Sequence, residues 1–187
     1  MHLRRRPVQV ADQPPPTPRA QIRAYLGDCV INADIELGAD ARLTDLLNTT
    51  PTVTLYDVHL YALDDGREVV TDAVELDLAE LHAVEAPETP LTSPRHIHTR
   101  TILVEVHAGP YLVTGHIHGP PGGDPVQTVI QRPAMVPLTE ALIEFEFAGQ
   151  PVTVESNVVI FNRDVASSLR AVDDPILLAK AEAHRLP

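Results

Sequence analysis

Five of the nine histidines in this 187-residue chain fall between residues 96 and 118. His96-Ile97-His98 and His116-Ile117-His118 are two His-x-His pairs. On a strand, residues two apart point to one face, so each pair presents two imidazoles side by side. Neutral imidazole ligates zinc, copper, nickel and iron. His96, His98, His116 and His118 are therefore the candidate transition-metal ligands, for an ion such as zinc. Whether the pairs meet depends on the turn between them. A two-residue turn at Ala108-Gly109 sets Thr101 opposite His116 and sends the pairs to opposite faces. A three-residue turn with a glycine bulge shifts the register by one and puts both pairs on one face. The same side chains also read as polar strand residues on a wet face, or as a contact that charges near about pH 6.

Other reactive chemistries find less support. Ser93, Ser156, Ser167 and Ser168 lie outside any Gly-x-Ser-x-Gly elbow. Cys29, the single cysteine, sits in the apolar run Cys29-Val30-Ile31 with no cationic neighbour, as a buried structural thiol does. Asp72, Glu75, Asp77, Glu80, Glu85 and Glu88 form an acidic run without Lys or Arg, which reads as a solvated face or a strip for a basic partner. Gly119-Pro120-Pro121-Gly122-Gly123-Asp124-Pro125 is glycine-rich, but its prolines remove the amide donors of a phosphate loop. It reads as a wide turn.

Composition narrows the partners. Net charge is −12, while residues 1–23 carry Arg4, Arg5, Arg6, Arg19 and Arg23 against Asp12 alone. The folded part is thus acidic and repels phosphate backbones, which argues against nucleic-acid binding. Aromatic residues make up 4% and Trp is absent, so stacking platforms are disfavoured. No apolar stretch nears the roughly 18 residues of a membrane span. No apolar core follows the basic start, as a secretory signal requires. A cytoplasmic protein with no membrane association is expected.

The elements that would position these residues recur. Gly27-Asp28 falls where Gly109-Pro110 falls, and Val30, Ile31 and Ile35 match Leu112, Val113 and Ile117. Val53 and Leu55 match Val136 and Leu138, and Gly66 matches Gly149, at an offset of about 82 to 83 residues. The pattern predicts an all-β fold of two tandem antiparallel meander units, small barrels or half-barrels, with a C-terminal helix. The expected divisions are a Pro/Arg-rich tail at 1–20, a first unit at 21–85, a Pro-rich linker at 86–95, a second unit at 96–172 and the helix at 173–187. Asp174 as N-cap and Pro175 at the first helical position mark that helix. Short helical turns are expected near Thr44–Leu47 and Val126–Val129.

Three segments of the second unit carry a resemblance. Thr114 to Gly122, Met135 to Ala141 and Val158 to Arg163 resemble a family of short bacterial, mainly actinobacterial, β-rich domains of unassigned activity. The resemblance brings no catalytic residues with it. The first unit departs from it at the loop and lacks the Asn-Arg pair. Domain size and turn pattern are also similar to Sm-like barrels, a likeness of fold that implies nothing about RNA.

Together these features predict a non-catalytic scaffold, adaptor or regulatory module that self-associates, as a homo-oligomer, or binds a protein partner. The alternatives are a metal-binding protein or metal-dependent enzyme using the paired histidines, and a sensor that clasps a small anion with Arg4, Arg5, Arg6 and Arg23.

Overall fold

A computed structural model describes residues 17–38, 41–86, 100–119 and 125–172. In chain order its elements are β1 (Arg19–Leu26), β2 (Cys29–Glu36), α1 (Leu43–Thr49), β3 (Thr52–Ala62), β4 (Glu68–Asp77), β5 (Leu81–Glu85), β6 (Arg100–Ala108), β7 (Tyr111–Gly119), α2 (Pro125–Ile130), β8 (Met135–Phe147), β9 (Gln150–Asn162) and β10 (Ala166–Ala171). The all-β expectation is met, and both short helices fall where the pattern put them. The expected C-terminal helix and most of the Pro-rich linker and N-terminal tail lie outside the described residues.

The strands do not form two separate sheets, nor a sandwich. All ten join one open antiparallel sheet in the order β10-β6-β7-β8-β9-β5-β1-β2-β3-β4. The cause is the short strand β5, which the sequence reading left inside an acidic run. β5 pairs with β1 on one side and with β9 on the other, so it welds the two runs of strands together.

Within that sheet the first five strands lie in the order β5-β1-β2-β3-β4 and the last five in the order β10-β6-β7-β8-β9. Registers agree as well: Tyr25 faces Val30 as His107 faces Leu112, each residue displaced by 82. A one-residue slip between Asn32 and Asp34 in the β2–β3 ladder recurs between Thr114 and His116 in the β7–β8 ladder.

Opposite each slip the backbone turns left-handed, at Asp57 (φ 49°) and Glu140 (φ 50°). Such a residue reverses the alternation of the strand. Inward positions on β3 accordingly pass from Val53 and Leu55 to Val58, and on β8 from Val136 and Leu138 to Ala141 and Ile143. The bends let each long strand keep its apolar side on a core while the sheet curls around it.

Two cores result. Ile22, Ala24, Ile31, Ile35, Leu55 and Val58 pack beneath α1 through Leu43 and Leu47. Val104, Val106, Val113, Ile117, Leu138 and Ile143 pack beneath α2 through Val129. At the β5–β9 seam, Val84 faces Ile160 and Ala83 faces Phe161. Val84 and Ile160 enter the first core, Ala83 and Phe161 the second. Because neighbours on a strand point to opposite faces, the cores lie on opposite sides of one sheet.

The hairpin turns explain their residues. Ala148 (φ 49°) and Gly149 (φ 72°) form a two-residue turn with both angles positive, as type I′ requires. Ala108 faces Tyr111, so the β6–β7 turn is Gly109-Pro110 and not the Ala108-Gly109 turn considered from sequence. Gly109 has φ 60°, and a Cβ built there runs into the imidazole of His82 on β5. Gly109→Ala is expected to destabilise the fold by about 2–3 kcal/mol, combining left-handed strain with displacement of His82. Urea unfolding checks this, and adding His82→Ala should restore the steric part while leaving roughly 1 kcal/mol of strain.

Candidate functional site

A polar concavity opens on the outer face of β1, β2 and β3. It has a volume of about 540 Å³ and is lined by Gln21, Arg23, Asn32, Asp34, Asp57, His59 and Glu85 together with Ile22, Ala33 and Ala86. Alternation places these groups. Ile22, Ala24, Ile31 and Ala33 turn into the first core, which leaves Gln21, Arg23, Asn32 and Asp34 on the other side of the same strands.

Arg23 sits at the centre. Its Nε donates to Asn32 Oδ1 at 2.9 Å, and its terminal nitrogen lies 3.4 Å from Glu85 Oε1. The same carboxylate oxygen accepts from the Tyr25 hydroxyl at 2.6 Å. Arg23 and Glu85 are also direct cross-strand partners on β1 and β5. Nearby, Arg19 stacks 3.8 Å over the ring of Tyr56 and reaches Asp57 at 3.5 Å. At one end, His59 Nδ1 lies 2.7 Å from Glu68 Oε1, which also accepts from Tyr61 at 2.9 Å. Those two hydrogen bonds, His59 first, hold the Glu68 carboxyl below its ordinary range. The concavity thus has one arginine matched to a carboxylate, and its lining holds no serine, threonine, cysteine or lysine to act as a nucleophile. No family model, curated protein or solved structure matches this chain.

The candidate ligands His116 and His118 stand elsewhere. His116 and His118 share a face of β7, opposite Leu103 and Thr101 of β6. His116 is buried, with Nδ1 3.2 Å from Glu140 Oε2, and His118 Nε2 lies 2.8 Å from Thr139 Oγ1. Both rings are therefore aimed at the bend of β8. Arg132 donates to the carbonyl of His118 and fixes the strand end. His96 and His98 lie outside the described residues. Among the described residues no group of three or more His, Cys, Asp or Glu side chains gathers as a metal site would. Of the other sequence candidates, Arg4, Arg5 and Arg6 lie outside the described residues, and Arg23 already serves Glu85.

Sequence reasoning missed two arrangements. The first is the exchanged ion pair. Glu105 on β6 and Arg170 on β10 are cross-strand partners in the position that Arg23 and Glu85 hold on β1 and β5, with the charges reversed. Glu105 is 6% exposed and is held by Arg170 through Nε at 2.8 Å and a terminal nitrogen at 2.5 Å. Glu105 stands 82 residues after Arg23, but Arg170 stands 85 after Glu85, so the exchange shows only once the strand order is known. The second is the hold of Arg163 on α2; that Asn162-Arg163 caps the segment that follows is itself a reading the sequence supports. Asn162 Oδ1 accepts from the Asp164 amide at 3.0 Å, while Arg163 donates to the carbonyls of Val129 and Ile130 at the end of α2. The segment that follows is strand β10. Among the described residues no helix is long and apolar enough to cross a membrane.

Cys29 is buried where the β1–β2 turn meets Tyr111, whose hydroxyl donates to the carbonyls of Leu26 at 2.6 Å and Cys29 at 3.2 Å. Burial, with the charge of Asp28 added, pushes the thiol up to about 12. Burial likewise raises Tyr25 and Tyr111. Folding therefore favours the neutral forms. That stabilisation is full below the ordinary thiol value of about 8.5 and is lost as pH rises toward the folded value of about 12. Urea midpoints should fall progressively above about pH 9, and Cys29→Ala should flatten the first part of the fall. At pH 8 the native thiol should react roughly a thousandfold more slowly with a thiol reagent than the urea-unfolded chain does.

Proposed function

We propose that this protein is a non-catalytic interaction module, built from two Sm-like half-units in tandem, that acts by self-association or by holding a protein partner. The observation that carries this reading is β4. Among the described residues β4 pairs only with β3, and its other side is an open sheet edge. Val69, Val70 and Val74 on this strand are 49%, 61% and 38% exposed. A long edge strand with exposed β-branched residues is a template for another chain, and proteins that do not use such an edge blunt or cover it. The shared strand order, registers and bends of the two halves support descent from one unit. The lone buried Cys29 fits a cytoplasmic setting, where thiols stay reduced. The acidic run Asp72, Glu75, Asp77 and Glu80 is exposed along and beyond β4, which suits a partner with basic groups and repels nucleic acid.

A second reading is transition-metal binding, zinc included, by His96, His98, His116 and His118. It is supported by the common face of His116 and His118 and by the Glu140 carboxylate 3.2 Å from His116, while the two-residue β6–β7 turn is of the kind that sends the two pairs to opposite faces. The anion-sensor reading loses support, because Glu85 neutralises the one arginine of the concavity.

Size-exclusion chromatography with light scattering separates these. The expected outcome is a mass above one chain that rises with concentration. A strict monomer at high concentration, with no protein retained in pulldowns, would sink the interaction reading. Elemental analysis of untagged protein is expected to find no stoichiometric transition metal; a near-stoichiometric one would favour the second reading.

A further inference from the structure

We infer that the occupant of the β4 edge is strand β10 of a second copy of this chain, joined in the register of the internal β5–β9 seam; this rests on the self-association reading above. Within one molecule, the fourth strand of the second half (β9) pairs with the fifth strand of the first half (β5). The matching strands at the two ends of the sheet are β4, fourth of the first half, and β10, fifth of the second. Both are edges among the described residues. The seam is therefore a pattern for a contact between β10 of one copy and β4 of the next.

The registers specify that contact. Ser168, Leu169 and Arg170 face His107, Val106 and Glu105, as Ala83, Val84 and Glu85 face Tyr25, Ala24 and Arg23. Leu76, Glu75 and Val74 face Val53, Thr54 and Leu55, as Phe161, Ile160 and Val159 face Val136, Pro137 and Leu138. Carrying the seam across sets Ser168 opposite Leu76, Leu169 opposite Glu75, Arg170 opposite Val74 and Ala171 opposite Ala73. The Leu169 side chain already rests on the edge of the second core, Leu76 belongs to the first, and Val74 is 38% exposed beside it. Pairing would satisfy the open backbone edges of β4 and β10, which border the first and second cores.

Two positions differ in character from the seam: Glu75 stands where the seam has Ile160, and Ser168 where it has Ala83. The contact between copies is thus weaker than the seam and reversible. Because the two edges differ, the contact is head-to-tail, so it repeats until a ring closes or a filament extends.

Ala73→Cys and Ala171→Cys, made singly, provide the test. Directly opposed residues of an antiparallel pair lie about 4.5–5.5 Å apart at Cα, within disulfide reach. Cys29 is buried, so the introduced thiols dominate oxidation. Under mild oxidant, the mixed variants should form a dimer at least about tenfold faster than either variant alone, because pairing raises the local thiol concentration. Glu75→Ile should lower the dissociation constant by about tenfold or more, the effect of burying one aliphatic side chain. If light scattering shows oligomers but the mixture cross-links no faster than the single variants, this register is overturned and self-association stands. If the protein is a monomer throughout and Glu75→Ile leaves it so, both fail. A segment of the same chain over β4, or an edge kept for a different protein, would give that second result.

Discussion

The seam between β5 and β9 is the constraint on which the rest of the molecule depends. It is short, with paired positions at Ala83–Phe161, Val84–Ile160 and Glu85–Val159. Yet both of its faces are covered, because its residues enter the two cores by turns. Around it, side chains cross from one half to the other. Tyr25, Tyr111 and Phe145 stack edge to face with centroids 5.2–5.8 Å apart. Asn48 of α1 holds the backbone amide and carbonyl of Met135 at 2.9 and 3.0 Å, and Asn162 donates to the carbonyl of Leu78. Each fully buried aromatic ring contributes about 2–3 kcal/mol. Neither half has its full set of neighbours without the other, so the two should unfold together.

Curvature comes from the two left-handed residues, Asp57 and Glu140. Without the reversal there, the residues after Leu55 and Leu138 would carry their apolar side away from the core. The bends also decide what the outer face can do. Glu140 is turned toward His116, and Asp57 toward Arg19 and the polar concavity. Charged side chains therefore collect at the bend of each half, matched to groups on neighbouring strands. The outer face is thus a surface of matched charges around a rigid sheet.

Much of this was legible in the sequence, and the misses have physical causes. Alternation located nearly all strands, and the passage from Val53 and Leu55 to Val58 and Leu60 already contained the bend. The unbroken run Val158-Val159-Ile160-Phe161 was the sign of a strand covered on both sides, as central strands are. Its partner β5 was hidden because Glu80 and Glu85 made Leu81–Glu85 look like part of an acidic surface. Glu85 is in fact tied to Arg23 and Tyr25, residues about 60 positions away whose proximity follows only from strand order. The histidine facing turned on whether the β6–β7 turn has two residues or three, and it has two. Gly109 with positive φ followed by Pro110 fits a turn of the II′ kind, whose first central position favours glycine. That choice set Thr101 opposite His118.

The reversed ion pairs bear on how a chain with two similar halves avoids assembling wrongly. Suppose β5 docked on β6 in place of β10 during folding: Glu85 would then meet Glu105, two carboxylates in a site that is 6% exposed in the native state. The reciprocal error would set Arg170 against Arg23. At the buried Glu105, a like charge brought in out of water is penalised far more than a poor apolar fit, whereas the exposed Arg23 and Arg170 side chains feel a smaller repulsion. Exchanging one Arg and one Glu thus gives each closing strand a different electrostatic partner.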